Sequence, residues 1–461
     1  MANHIYSYES NISAPAADVF AYHERFAALQ RLIPPWESVR VISNNGSIQN
    51  GDSKTIRMNL GPFKIIWEAR HQDYQANRQF VDVQVKGPLK YWKHTHSFRS
   101  IDINQTNLKD TVQLELPFGV FWRNWVYPKV LKKLNRLFTY RHVITQNDLK
   151  DWMQLKSFPV SKVAITGGNG LIGSELAVFL QAQGHEVVIL SRSGKSNVFG
   201  VRGVNWDPDK QFIDSKSLGD VDCWIHLAGE NVAKGRWTKT RIKRLRDSRV
   251  KSTKFLVEYI LKQKNLPKVF ITASGTGYYP SSPEVMTEDA VKGEGILAGI
   301  CSDWEDASTP LIGTSIRRVV LRTGIVLSKK GGALEKLLPS FNLGVGGPIG
   351  SGKQIWSWIA MEDLLRIYNL AAKDPKIEGT YNAVAPIAST NKEFADVIGS
   401  ALRRPTLVRT PSWIVKLVLG RMADEAILAS QNIVPKRLNE SGFNFNFQDL
   451  ELAVSHCLGT Y

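Results

Sequence analysis

The chain has 461 residues, 43% hydrophobic and 22% charged, with a formal net charge of +17. That length implies two or three domains, and the composition excludes a disordered tail carrying one small module. The positive surplus favours an anionic partner, a phosphate or carboxylate, without choosing between them.

The opening residues lack a basic stretch leading into an apolar core and a cleavage site, so no secretory signal is expected. No apolar run approaches the roughly 18 residues that a membrane span needs. Cys223, Cys301 and Cys457 are an odd number without metal-ligand spacing, which fits buried free thiols in a reducing compartment. A soluble, cytoplasmic protein is the expectation.

Residues 1–155 begin with an alternating run, His4 to Tyr8, and then Ile12-Ser-Ala-Pro-Ala-Ala-Asp-Val-Phe20, where Ser13 is placed to cap and Pro15 to open a helix. Period-2 runs follow at Val39–Ser43, Lys54–Leu60, Phe63–Ala69, Phe80–Val85, Tyr91–Phe98 and Leu108–Leu116. Gly, Asn and Pro punctuate them, which describes an antiparallel meander. Trp122 to Leu149 then carries Val126, Val130, Leu134, Leu137 and Phe138 at helical spacing, giving a long helix over the concave face of the sheet. His94 and His96 share one strand face. A metal site needs at least a third ligand and the sequence assigns none, so cavity lining or cross-strand hydrogen bonding is expected of them, and no metal. Trp36, Trp67 and Trp92 read as core or cavity wall. The order of elements, with Ser13–Phe20, Leu32-Ile-Pro-Pro-Trp36, Trp67-Glu68, Trp92–Phe98 and Asp110–Pro117, resembles the START-like, polyketide-cyclase type of helix-grip domain. That resemblance implies an α+β fold with an apolar cavity holding a hydrophobic ligand. Asp151 to Lys162 reads as a linker.

Val163-Ala-Ile-Thr-Gly-Gly-Asn-Gly-Leu-Ile-Gly173, an apolar run to Leu180 and Gly184-His-Glu-Val-Val-Ile-Leu190 give a strand, a glycine turn, a helix and a second strand. At Gly167, Gly170 and Gly173 the missing side chains let the backbone around Asn169, Leu171 and Ile172 approach a pyrophosphate at a helix N-terminus. The second strand ends in Ser191-Arg192-Ser193. No carboxylate stands there for a ribose hydroxyl, and Arg192 suits a 2′-phosphate, so NADP is expected ahead of NAD.

Strands are predicted at 162–166, 186–190, 222–227, 268–273 and 316–321 of a parallel sheet covered on both faces. Ile225-His-Leu-Ala-Gly-Glu-Asn231 follows one of them, and Leu227, Ala228 and Gly229 would lie against the adenosine half of the cofactor. The basic run Lys234–Lys254 is interleaved with Ile242, Leu245 and Phe255 and reads as a solvated face of an amphipathic helix. No recognition module accompanies it, so no nucleic acid is expected. Ser274-Gly-Thr-Gly-Tyr-Tyr-Pro280 supplies hydroxyls at a strand end, and Arg322 follows another, toward the nicotinamide.

These pieces, with Gly235-Arg-Trp-Thr238, Cys301-Ser-Asp-Trp-Glu305, Gly344–Gly352, Gln354–Ile359 and Tyr381–Pro386, resemble the extended short-chain dehydrogenase/reductase superfamily. Within it they are similar to the atypical epimerase family of the sugar-nucleotide epimerase type. The resemblance implies a Rossmann-type α/β domain at 162–400, a small C-terminal domain at 401–461 and a small-molecule substrate. It also implies a Tyr four residues before a Lys, positions that here fall near Leu297 and Cys301. The usual pair is therefore missing, and Ser274, Tyr278 and Tyr279 are the candidate acid/base groups of an epimerase- or oxidoreductase-like enzyme. The other reading is a sensor or carrier that holds NADP and an apolar ligand without turnover.

Overall fold

The computed structural model describes residues 4–117, 120–159 and 161–460. Two compact units emerge, the first mainly Met1–Ser157 and the second mainly Phe158–Ala177 with His185–Thr460.

In the first unit β1 (His4–Ile12) is followed by α1 (Ala16–Glu24) and the short α2 (Ala28–Arg31). The meander then runs through β2 (Val39–Asn45), β3 (Ser53–Leu60), β4 (Phe63–Gln75), β5 (Gln79–Lys86), β6 (Tyr91–Asp102) and β7 (Gln105–Glu115). The sheet order β1-β7-β6-β5-β4-β3-β2 returns the first strand beside the last. All six predicted runs are strands, several of them longer than the alternation suggested. Ser13 does not cap α1. Its amide instead donates to Gln146, and Pro15 is the N-cap, its carbonyl accepting from Asp18 and Val19. Proline fits there because its fixed φ is compatible with a helix start and it has no N–H to lose. The long helix α3 (Val120–Leu155) packs Leu134 and Phe138 on Val112 and Leu114 of the sheet. It continues into the predicted linker, leaving only the stretch from Lys156 as connection; Val160 of that linker lies outside the described residues.

The second unit is built on β8 (Lys162–Thr166), α4 (Leu171–Ala182), β9 (Glu186–Ser191), β10 (Arg202–Asp207), β11 (Phe212–Ile213), β12 (Cys223–His226), α5 (Lys239–Leu261), β13 (Val269–Gly275), α6 (Ile296–Asp306), β14 (Arg317–Thr323) and β15 (Gly379–Ala383). Their order, β11-β10-β9-β8-β12-β13-β14-β15, is parallel except at the β10/β11 edge. The chain winds outward from β8 in one direction and, from β12, in the other. The crevice at the carboxyl ends of β8 and β12 is thus a topological switch point, where such sheets bind ligands. The central strands are apolar because both faces are covered; Cys223, Trp224 and Ile225 of β12 are buried throughout.

Besides the two-residue β11, two strands of this sheet escaped the sequence reading, the inner β10 and the edge strand β15. β10 carries Arg202 and Asn205 toward solvent, and β15 contains a buried Asn382, so neither shows an apolar run. Asn382 is tolerated because Tyr279, Glu288 and Val434 satisfy it. The segment expected as a C-terminal domain lies within the second unit. Gln431–Ile433 pairs in parallel with Ser282–Met286, and Leu450–Leu458 packs beside Asn391–Leu402. Among the described residues no helix is long and apolar enough to cross a membrane. All three cysteines are buried and free.

Candidate functional site

The glycine turn between β8 and α4 is shaped by close backbone contact. Gly167 has φ +70°, and a Cβ there would sit 2.8 Å from the carbonyl of Leu227 and 2.9 Å from the amide of Ala228. Gly173 lies so near the turn that a Cβ would meet the Gly167 oxygen at 2.5 Å. The two loops at the switch point are therefore in contact, and α4 begins directly above them. Its first amides, at Leu171, Ile172 and Gly173, have no carbonyl in a preceding turn and carry the positive end of the helix dipole. Gly170 and Gly229 are exposed at this rim, and Leu171, Ile172, Leu227 and Ala228 are half-buried. Of the expected binding residues, Asn169 also has a role for its side chain. Its side chain donates to the Lys195 carbonyl at 3.0 Å and accepts from the Asn197 amide at 2.7 Å, so it braces the loop after β9. That loop presents Arg192, which is exposed and makes no hydrogen bond or ion pair among the described residues.

Behind the crevice, His226 ends β12 fully buried. Its Nδ1 lies 2.7 Å from Thr166 Oγ1 and its Nε2 3.3 Å from Ser252 Oγ, tying β8, β12 and α5 together. Burial, aided by the Arg249 guanidinium, pushes its pKa down to about 3, so the ring is neutral. The basic face of α5 is largely paired: Arg241 and Arg244 both bind the carboxylate of Glu230, and Arg249 donates to the Glu230 carbonyl at 3.0 Å. Leu245, Leu256, Val257 and Ile260 form its buried face.

The expected acid/base groups separate into two kinds. Ser274 is buried and donates to Glu305 at 2.6 Å. Glu305 in turn receives Arg322 through Nε at 2.9 Å and Nη2 at 2.8 Å. Arg322 donates through Nη1 to the Tyr279 hydroxyl at 2.9 Å, and Tyr279 donates to Asn382 at 2.7 Å. These contacts give two of the expected groups structural partners. Arg322 is paired with a buried carboxylate, and Tyr279 is a buried strut whose pKa burial pushes up. Tyr278 remains. Its ring lies over the Arg322 guanidinium at 3.4 Å, it is half-buried, and its hydroxyl has no hydrogen bond among the described residues. The helix that carries the Tyr/Lys pair in related folds presents Leu297 against Gly277 and Cys301 beside Gly275. Burial pushes the Cys301 thiol up to about 11, so it is no ready nucleophile.

Comparison with known proteins bears directly on this geometry. Residues 163–295 match the NAD dependent epimerase/dehydratase family, residues 12–142 the polyketide cyclase/dehydrase and lipid transport family, and residues 410–457 a domain of unknown function, DUF1731. An epimerase family protein of Mycobacterium bovis is 37% identical over 295 residues, which are 64% of this chain and 96% of that protein. The chain belongs to the epimerase family. Human epimerase family protein SDR39U1 is 36% identical over 297 residues, 98% of its length, and its crystal structure with NADPH superposes with a TM-score of 0.60. A nucleoside-diphosphate sugar epimerase structure from Corynebacterium glutamicum extends the likeness to 98% of this chain and 90% of its own, at 31% identity and a TM-score of 0.79.

This epimerase-family chain carries a second candidate site in its first unit. A cavity of about 450 Å³ lies between the sheet and α3, walled by apolar side chains such as Leu32, Phe80 and Leu137 and by Trp67 and Trp92, which meet edge to face at 5.0 Å. Trp36 packs on Tyr140 instead. One wall is polar. His94 and His96 both contact Asp110, as expected of cross-strand partners, and both also face Asp82. Burial works against the charge of Asp82 and Asp110, yet the surrounding imidazoles hold both well below the usual carboxylate range. His71 and His142 complete the group. Sequence reasoning missed both aspartates and both of these histidines. The signal was present only in the sheet register, which sets Asp82 opposite His94 and Asp110 opposite His96.

Proposed function

We propose that the second unit binds NADP(H) at the β8–α4 turn and acts as an epimerase- or oxidoreductase-like enzyme on a small molecule, while the first unit holds an apolar ligand. The observation that carries the reading is the fit of the turn to a diphosphate: at Gly167 and Gly173 a side chain would collide with backbone, and α4 opens its free amides there. Arg192, exposed and uncommitted at the end of β9, supports preference for the 2′-phosphate form. The NADPH held by the human relative is consistent with it.

A bound nicotinamide would supply hydride exchange. The chain supplies the rest: amides of α4 hold the diphosphate, Arg192 neutralises a phosphoryl charge, and the Tyr278 Oη exchanges a proton with substrate. The Glu305–Arg322 pair fixes the Tyr278 ring from beneath, so that its hydroxyl keeps one position. Turnover of NADPH against a panel of apolar and sugar-like ketones tests this, with loss in Tyr278→Phe expected while NADPH still binds.

One observation favours the alternative, a sensor or carrier without turnover. Leu297 and Cys301 occupy the helix that would carry the proton-exchanging pair, and neither can replace it. Tight NADPH binding with no hydride transfer over the panel would decide for that reading.

A further inference from the structure

We propose that Asp82, His94 and His96 form a binding site for a divalent transition-metal ion in the polar wall of the first unit's cavity. One ligand atom from each of the three lies within 4.8 Å of the others. The arrangement follows from the strands: His94 and His96 alternate onto the same face of β6, and Asp82 comes from its neighbour β5.

What distinguishes the cluster from three polar residues in a pocket is the support behind it. Oδ1 of Asp110 accepts a hydrogen bond from Nε2 of His94 at 2.7 Å and lies 2.7 Å from Nδ1 of His96. Its Oδ2 is held by His142 Nε2 at 2.6 Å, and Ser10 Oγ lies 2.7 Å from His142 Nδ1. At His94 the carboxylate behind the imidazole keeps the proton on the far nitrogen and turns the near lone pair inward, the usual support of metal-binding histidines, whereas His96 Nδ1 lies beside the same carboxylate without a hydrogen bond and its Nε2 is hydrogen-bonded to Asp82 at 3.2 Å. The near nitrogens, His94 Nδ1 and His96 Nε2, then converge on one atom, Asp82 Oδ2, at 3.8 and 3.2 Å. Bonds of about 2.0–2.1 Å to a tetrahedral ion set ligand atoms about 3.3–3.4 Å apart, so the 3.2 Å pair already fits and the 3.8 Å pair would close by about half an ångström.

A second observation points the same way. His71 is 4% exposed, and neither of its ring nitrogens has a hydrogen-bond partner among the described residues, although Nδ1 lies 2.6 Å from Asp82 Oδ1. It is a further nitrogen donor at the rim of the cluster. Asp82, His71, His94 and His96 all line the cavity, so coordination positions the protein does not fill open onto apolar space. Two imidazoles and a carboxylate suit Zn²⁺, Fe²⁺, Co²⁺ or Ni²⁺ rather than Mg²⁺ or Ca²⁺. An ion there would be a Lewis acid for an oxygen-bearing group on the cavity's occupant.

The competing arrangement places a proton between Asp82 and His96 where the ion would sit. Untagged full-length protein, stripped with chelator, is titrated with Co²⁺ by visible absorption and with Zn²⁺ by calorimetry. The expected result is one ion per chain, with binding abolished in Asp82→Asn and His96→Gln and weakened about 10- to 100-fold in the supporting variant His142→Gln. Circular dichroism shows whether each variant folds. If one does not, the wild-type protein decides alone, because Zn²⁺ should then protect the peptides of β5 and β6 from hydrogen exchange. No Co²⁺ bound by the wild type, or equal binding in folded His96→Gln, overturns the proposal. NADPH affinity, measured on the same samples, should be unchanged.

Discussion

Glu305 on α6 and Arg322 at the end of β14 form a two-pronged ion pair, 2.9 and 2.8 Å, with side chains 10% and 6% exposed. Such a pair is costly to assemble and more costly to halve, because the survivor is left charged in a dry site. Glu305→Gln is expected to destabilise the second unit by about 3–5 kcal/mol, whereas Glu305→Met with Arg322→Met should recover much of the loss. Urea denaturation of the two variants checks the ordering. The double variant should still lack the platform beneath Tyr278, so its turnover stays low after its stability returns.

Gly167 tests the dinucleotide reading with one methyl group. Alanine at φ +70° is strained, by about 1 kcal/mol or more, and its Cβ would also press on the Leu227 carbonyl. The loops must separate, moving the amides that clasp the diphosphate. Gly167→Ala should lower NADPH affinity by at least about tenfold, equivalent to 1.4 kcal/mol. Calorimetry measures it, and an unchanged affinity would remove this turn from the binding site.

Arg192 should set the choice between the two nicotinamide cofactors. Arg192→Glu keeps the loop, which Asn169 braces independently, but places a carboxylate where a 2′-phosphate would sit. We expect NADPH affinity to fall by about 10- to 100-fold and NADH affinity to hold or rise. The wild-type preference should also weaken with salt, since an exposed guanidinium is screened. Equal losses for both cofactors would mean that Arg192 serves the loop rather than the phosphate.

Legibility in the sequence followed the range of the signal. The glycine turn could be read because strand, turn and helix are contiguous, and the meander because each strand alternates within itself. Tyr279 and Arg322 were placed at the right strand ends, but their roles depend on Glu305 and Asn382, which come from separate elements and announce no partner. Leu297 and Cys301 fall where the expected pair would be, so the departure was visible before any fold was known. The Asp82–His94–His96–Asp110 group was half visible. Alternation put the two histidines on one face, whereas the aspartates arrive through the register of three strands, which no local pattern states.

His226 gives the second unit an acid sensitivity of definite sign. In the folded chain its pKa is pushed down to about 3, against an ordinary 6.5, so the unfolded chain takes up a proton across a range where the folded chain does not. Its contribution to stability is complete above pH 6.5 and declines as pH falls toward 3, by up to about 1.4 kcal/mol per pH unit. Gln can keep one of the hydrogen bonds to Thr166 or Ser252 but does not titrate. His226→Gln should therefore be less stable than wild type at pH 7.5 by about 1 kcal/mol, and should lose stability more gradually on acidification. Urea midpoints followed by tryptophan fluorescence give both slopes, and Trp206, 6.1 Å from the imidazole ring, reports on the same core. Parallel slopes for the two proteins would mean that His226 takes up its proton over the same pH range in the folded and the unfolded chain, and that burial does not hold its ring neutral.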